Sequence, residues 1–217
     1  MASNYGELKS ELSDLLFNQR FIARYDRFTR SFEADANSRL RVLPMEAIYI
    51  FQTATGEVPL PADYLLWRAV LWLRGGVPTA PPVPTPPFEN TFEMDYVHPA
   101  YLHDRRVDHN RSNPPVFTIE NNKFRSRIAL EGDAFEFHYY QKIPTLTGGD
   151  SNSNWLLTEY PNAYLFGLMV EAASDGRNAE MAQLYKARRD EVFAQIIQRY
   201  ALTTGASSPS VRTAEYY

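Results

Sequence analysis

The stretch FHYYQKIPTLTGGDSNSNWLLTEYPNAYLFGLMVEAA, Phe137 to Ala173, decides how the chain reads. It opens on alternating apolar residues with two adjacent tyrosines, Tyr139 and Tyr140. Pro144 ends that ladder, because it has no N–H to give. A Gly-Gly-Asp-Ser-Asn-Ser-Asn loop follows, then Trp155, Leu156 and Leu157, then Pro161, which suits the first residue of a helix. One segment therefore joins a β region to a helical region, with packing residues on both sides. Tyr139, Tyr140, Pro144, Trp155, Leu156 and Pro161 are the residues of this structural joint. The stretch holds no nucleophile–base pair, no phosphate loop and no metal-ligand spacing.

Upstream, the β signal is clear. Val116–Glu120 alternates, Asn121-Asn122 is a two-residue turn in which Asn tolerates positive φ, and Lys123–Leu130 alternates again. Glu131-Gly132-Asp133 turns into Ala134–Tyr140. The pattern predicts a three-stranded antiparallel meander with one apolar face. Thr91–Tyr96 reads as a short strand and Trp67–Leu73 as a buried one. The two prolines within Glu57–Leu65 make that segment extended. Met45–Gln52 is short and apolar, equally compatible with helix and strand. Gly75–Pro87, GGVPTAPPVPTPP, is a loop with polyproline-II bias, a semi-rigid surface arm.

Downstream, Pro161–Ser174 reads as a helix. Asp175-Gly176-Arg177-Asn178 breaks it, and Asn178 caps a second helix running to about Tyr200. Met181, Leu184, Tyr185, Val192, Ile196 and Tyr200 form its expected buried side; Lys186, Arg188, Arg189, Asp190 and Glu191 form the exposed one. At the other end, Glu7–Arg41 carries helical periodicity through Leu8, Leu12, Leu15, Leu16, Ile22, Tyr25, Phe28 and Phe32. Arg20, Arg24, Arg27 and Arg30 share one flank. They read as a solvated face paired with Asp26 and Glu33, or as a surface for an acidic partner or DNA. The expected class is α+β: a helical bundle, made of an N-terminal helix plus a C-terminal helical hairpin, with an antiparallel β insertion and a flexible C-terminal tail. The divisions fall at 1–56, 57–147 with the arm at 75–87, 148–202, and the tail at 203–217.

Of 217 residues, 44% are hydrophobic, enough for a sizeable core. The net charge of −4 argues against a dedicated nucleic-acid binder, whose affinity comes from a basic surface. The absence of cysteine removes disulfides, thiol catalysis and thiolate metal sites together. The opening MASNYGELKSELSDLL lacks the basic start and apolar run of a signal peptide. No stretch of about 18 apolar residues occurs, so no membrane helix is expected and the chain reads as soluble.

His98, His103 and His109 lie near Asp104 and Asp108 in a polar, loop-like segment. Imidazole and carboxylate suit Zn or Fe, which makes a metal-dependent enzyme using His98–His109 a lower alternative. The spacing is not that of a metal helix, and a solvated loop is the preferred reading. No G-x-S-x-G or H-E-x-x-H occurs, and Gly148-Gly149-Asp150 lacks the Lys-Ser/Thr of a phosphate cradle. No catalytic residue, cofactor or metal is expected. A small-ligand or glycan-binding module using exposed tyrosines is a further class to test.

In order along the chain, FTRSFEADANSRLRVLPME (Phe28–Glu46), LPADYL (Leu60–Leu65), YYQKIPTL (Tyr139–Leu146), Asn154–Leu157 with PNAYLFG (Pro161–Gly167), and Asn178–Tyr185 form a series. Together they resemble the head-to-tail adaptor (connector) proteins of tailed bacteriophages. The arm Val77–Pro87 and the long polar connection Tyr96–Pro115 depart from that pattern, as does Asn178 where the family has an acidic cap. The resemblance implies a non-enzymatic virion protein of the neck and tail, assembled in the host cytoplasm. It implies a homo-oligomeric ring of about twelve copies under the portal, a cyclic assembly with heterologous interfaces. Such a ring extends the DNA channel without binding DNA specifically, and docks tail nozzle, stopper or fibre proteins. It also implies a C-terminal tail that contacts the portal protein, here through Val211, Arg212, Tyr216 and Tyr217. A neck stopper or tail-completion protein is the alternative.

Overall fold

The computed structural model describes residues 2–16, 23–53, 55–74, 91–102, 115–127 and 133–203. The Pro-rich arm at 75–87, most of the His98–His109 segment, Arg20 and the tail with Val211, Arg212, Tyr216 and Tyr217 lie outside them. The described residues are helices plus mainly antiparallel sheets, an α+β fold. They form two compact units, one of residues 1–45 with 143–217, the other of Glu46–Lys142.

The helical unit begins with two helices, α1 (Tyr5–Leu16) and α2 (Tyr25–Arg39), where the periodicity suggested one. The Asn152 and Asp150 carbonyls accept the Tyr5 and Gly6 N–H groups and Asn4 Oδ1 accepts that of Glu7, so the first free amides of α1 are satisfied, while the Glu7 carboxylate reaches back to the Ser3 N–H. A short α4 (Trp155–Glu159) precedes α5 (Pro161–Asp175) and α6 (Ala179–Thr203). Pro161 does start α5, and Asn178 does cap α6, accepting the Met181 N–H at 3.1 Å. Helices α2, α5 and α6 meet at Phe32. Its ring lies 4.8 Å from Tyr164 and 6.1 Å from Phe193, centroid to centroid. Gly167 makes this approach possible: a Cβ there would sit 2.1 Å from the Phe32 ring.

The face of α6 differs from the sequence reading. Leu184 is 50% exposed, whereas Arg189 is buried. Arg189 bonds Asp190, lies 3.0 Å from Asp35, and lays its guanidinium over Phe193. Its stem covers apolar surface while its charge is neutralised, so a formal charge was a poor guide to exposure.

Among the described residues the second unit contains two four-stranded sheets. One has the order β1 (Glu46–Gln52), β8 (Ala134–Gln141), β3 (Tyr64–Leu73), β4 (Thr91–Glu93). The other has β2 (Glu57–Pro59), β7 (Lys123–Ser126), β6 (Val116–Glu120), β5 (Asp95–Tyr96). A one-turn α3 (Pro99–Leu102) follows β5. The expected hairpin is present: Asn121 and Asn122 have φ of 50° and 58° between β6 and β7. The expected meander is not. β8 pairs with β1 and β3, in the other sheet from β6 and β7, and β5 runs parallel to β6. Alternation specifies which face is buried, and β7 and β8 both bury a face by stacking across the core. Phe124 of β7 lies 5.2 Å from Phe135 of β8, and Phe51, Phe117 and Phe137 complete this aromatic interior. β1 belongs to this unit, which places the boundary at Met45/Glu46 rather than 56/57. The return falls at Lys142/Ile143 rather than 147/148.

Candidate functional site: a buried polar clasp in the helical unit

The stretch that follows β8 runs through Ile143–Leu146 without regular structure, and such a segment must find partners for its backbone. Helix α2 supplies them. Asn37 Oδ1 accepts the Ile143 N–H at 2.9 Å, and one turn earlier Glu33 accepts the Leu146 N–H at 2.8 Å. Glu33 also accepts the Thr145 hydroxyl at 2.7 Å and the Tyr164 hydroxyl at 3.2 Å. Asn154 closes the network. Its amide donates to the Pro144 carbonyl and to Tyr164 Oη, both at 2.7 Å, while its Oδ1 caps α4 at the Leu157 N–H. Glu33, Asn154 and Tyr164 are buried.

Each donor here has an acceptor, so the arrangement holds position. Burial pushes the Glu33 carboxyl above its ordinary range, against the hydrogen bonds from Leu146, Thr145 and Tyr164 and the charge of Arg30. The Tyr164 phenol is raised by burial and then by the Glu33 charge beside it. A second buried phenol, Tyr5, bonds Asp26 at 2.7 Å and Thr29 at 3.1 Å, tying α1 to α2.

The residues expected to matter are distributed as follows. Pro144 lies between the two clasped segments, Leu156 is buried in α4, and Trp155 is half-buried beside it. Tyr139 and Tyr140 lie on β8 in the other unit; Tyr139 bonds Asp63 at 3.2 Å and is pushed up to about 12, by burial first and then by Asp63. Arg24 and Arg27 do not pair with Asp26 and Glu33. Both reach Asp175 at the end of α5, Arg27 at 2.7 Å. Burial would raise Asp175, but the two guanidinium groups outweigh it and hold the carboxyl below its usual range. Arg30 is exposed. His98 is exposed with its ring toward Tyr101, whereas His103, Asp104, Asp108 and His109 lie outside the described residues. Among the described residues no three His, Asp or Glu side chains gather as a metal site would need. No described helix is long and apolar enough to cross a membrane.

The model of the SU10 adaptor protein family matches residues 3–213. The chain belongs to the SU10 adaptor protein family. This is a phage adaptor family, so the chain is a phage structural adaptor and a virion component, working with other virion proteins. The chain matches no curated protein. The family match spans both halves of the clasp, Glu33 and Asn37 on one side and Pro144 to Tyr164 on the other. Neither Glu33 nor Asn37 was singled out in the sequence as a holding group. The available signal was an acidic residue at Glu33 beside the apolar positions Phe28, Phe32 and Ala36, where a solvated charge has no place.

Proposed function

We propose that this adaptor forms a head-to-tail ring of about twelve copies beneath the portal, extends the DNA channel and docks the next tail component. The observation that carries this reading is the family match over residues 3–213. The net charge of −4 suits the task, since a strongly basic bore would hold DNA by its phosphates. In this reading the C-terminal tail, with Val211, Arg212, Tyr216 and Tyr217, contacts the portal, and the arm at 75–87 or the β unit meets the tail protein below. Assembly takes place in the host cytoplasm, and the chemistry is non-enzymatic.

The test is to mix the full chain with its portal rings and image the product by electron microscopy. An added ring at one end of the portal is expected. A chain lacking residues 207–217 should keep its circular dichroism and lose portal co-sedimentation. A full chain that never joins bare portal rings, but joins rings already carrying another adaptor, would be a neck stopper instead.

A further inference from the structure

A sheet edge carries unpaired N–H and C=O groups, and proteins guard such edges with short strands, proline or charge. Among the described strands four lie at edges. β4 has three residues, β5 has two, and β2 has three and ends in Pro59. The fourth, β1, carries none of these guards in its own sequence. It runs seven residues, EAIYIFQ, roughly 23 Å at about 3.3 Å per residue. It contains no Lys, Arg or Pro, and its single charge, Glu46, is already paired with Arg68. Ile48 and Ile50 stand 58% and 47% exposed on its outer face, while Tyr49 and Phe51 pack toward the core.

The sequence of this edge is close to symmetric about Tyr49. Laid antiparallel against a second β1 with Tyr49 at the centre, Ile48 faces Ile50 of the other copy and Ile50 faces its Ile48. On the same face Glu46 meets Gln52, a hydrogen-bonding pair without like-charge repulsion. On the inner face Ala47 meets Phe51, small against large, and Tyr49 meets Tyr49. Apolar and aromatic pairs of this kind are what stabilise neighbouring strands. We propose that β1 is a self-pairing edge through which two copies of the chain join their sheets in an antiparallel dimer centred on Tyr49. Such a contact is isologous and closes at two copies, so it is a different assembly from a ring of heterologous contacts. The proposal does not depend on the ring.

Sedimentation velocity of the full chain over a concentration series is the first experiment. A monomer–dimer equilibrium is expected, weakened roughly tenfold or more by Ile48→Lys with Ile50→Lys, which sets lysines opposite each other. The second experiment fixes the register and uses the absence of native cysteine. Tyr49→Cys should form a covalent dimer under mild oxidation, because directly opposed residues lie within the Cα range of a disulfide, about 4.4–6.8 Å. Gln52→Cys should not, since its two copies would stand roughly 20 Å apart in that register. A chain that stays monomeric at every concentration overturns the proposal, as does a dimer indifferent to the lysines. Equal cross-linking at positions 49 and 52 overturns it too. Masses beyond two copies, abolished by the lysines without a cross-link at position 49, would make the edge a head-to-tail contact.

Discussion

The two units bury their interiors by different means. The β unit closes over phenylalanine rings stacked from both sheets, with Phe51, Phe124 and Phe135 within 5.5 Å of one another. The helical unit buries rings too, but it holds the Glu33 carboxylate and the Arg189 guanidinium in networks of several partners, whereas in the β unit the buried Asp133 carboxylate accepts the Trp72 indole N–H at 2.9 Å. Apolar packing is nearly indifferent to geometry at the level of charge, and its strength follows the area removed from water. A buried polar network stabilises only when every member is satisfied, and so it rejects alternatives that leave one unsatisfied. The difference predicts that the β unit fails by loss of volume and the helical unit by loss of a partner.

The largest effect is expected in the aromatic interior. Phe135→Ala, at a fully buried position on β8, should cost about 3–5 kcal/mol. Trp67 and Trp72, both on β3, report that unfolding by fluorescence, and the loss should be the same at pH 5 and pH 8. A loss that changes with pH would mean that the rings are not the main support.

Next comes Glu33→Ala, which leaves the Thr145 hydroxyl, the Leu146 N–H and the Tyr164 hydroxyl without their acceptor. About 3 kcal/mol is expected, read by denaturant melts followed at 222 nm. Glu33→Gln keeps an acceptor and should cost less. Here pH separates the units. The folded-state value of Glu33 lies above its unfolded one, so the folded chain holds the proton more tightly. Stability from this group therefore falls as pH rises from the unfolded value, near 4.3, through the raised folded value. Wild type should lose ground to Glu33→Gln across that window and be flat above it; a gain with rising pH would reverse the sign and refute the burial argument. Gly167→Ala is smaller, about 1–3 kcal/mol, because a methyl group must displace the Phe32 ring. If it stabilises instead, the helices can part at no cost and Gly167 is not the reason for their approach.

What the sequence made legible follows from the same contrast. Period-two alternation marked β6, β7 and β8, since burying one face leaves that trace whichever strand lies alongside. It could not tell pairing from stacking, so β8 fell into the wrong sheet. The start of α5 at Pro161 was readable because proline restricts the backbone locally. The clasp was not, because Glu33 and Leu146 are separated by 113 positions and only the fold brings them together. Arg189 misled for a related reason: a paired guanidinium over Phe193 resembles a solvated one until Asp35 and Asp190 are placed.

The smallest effect concerns two turns, one in each unit. Between β6 and β7 the left-handed positions are filled by Asn121 and Asn122, residues that tolerate positive φ. Between α5 and α6 the left-handed position is Arg177, at φ 56°, while the neighbouring Gly176 sits at −77° with no need of its freedom. Arginine has a Cβ that crowds the following carbonyl in this conformation, a cost of roughly 1–2 kcal/mol per residue. Arg177→Gly removes that cost but gives the unfolded chain more freedom, which takes back part of the gain. A net stabilisation of about 0.5 kcal/mol is expected, visible as a small upward shift of the denaturant midpoint at unchanged slope. The matching change in the other unit, Asn122→Gly, should be close to neutral. If Arg177→Gly is destabilising while Asn122→Gly is neutral, the exposed Arg177 side chain makes a contribution that its backbone conformation does not account for.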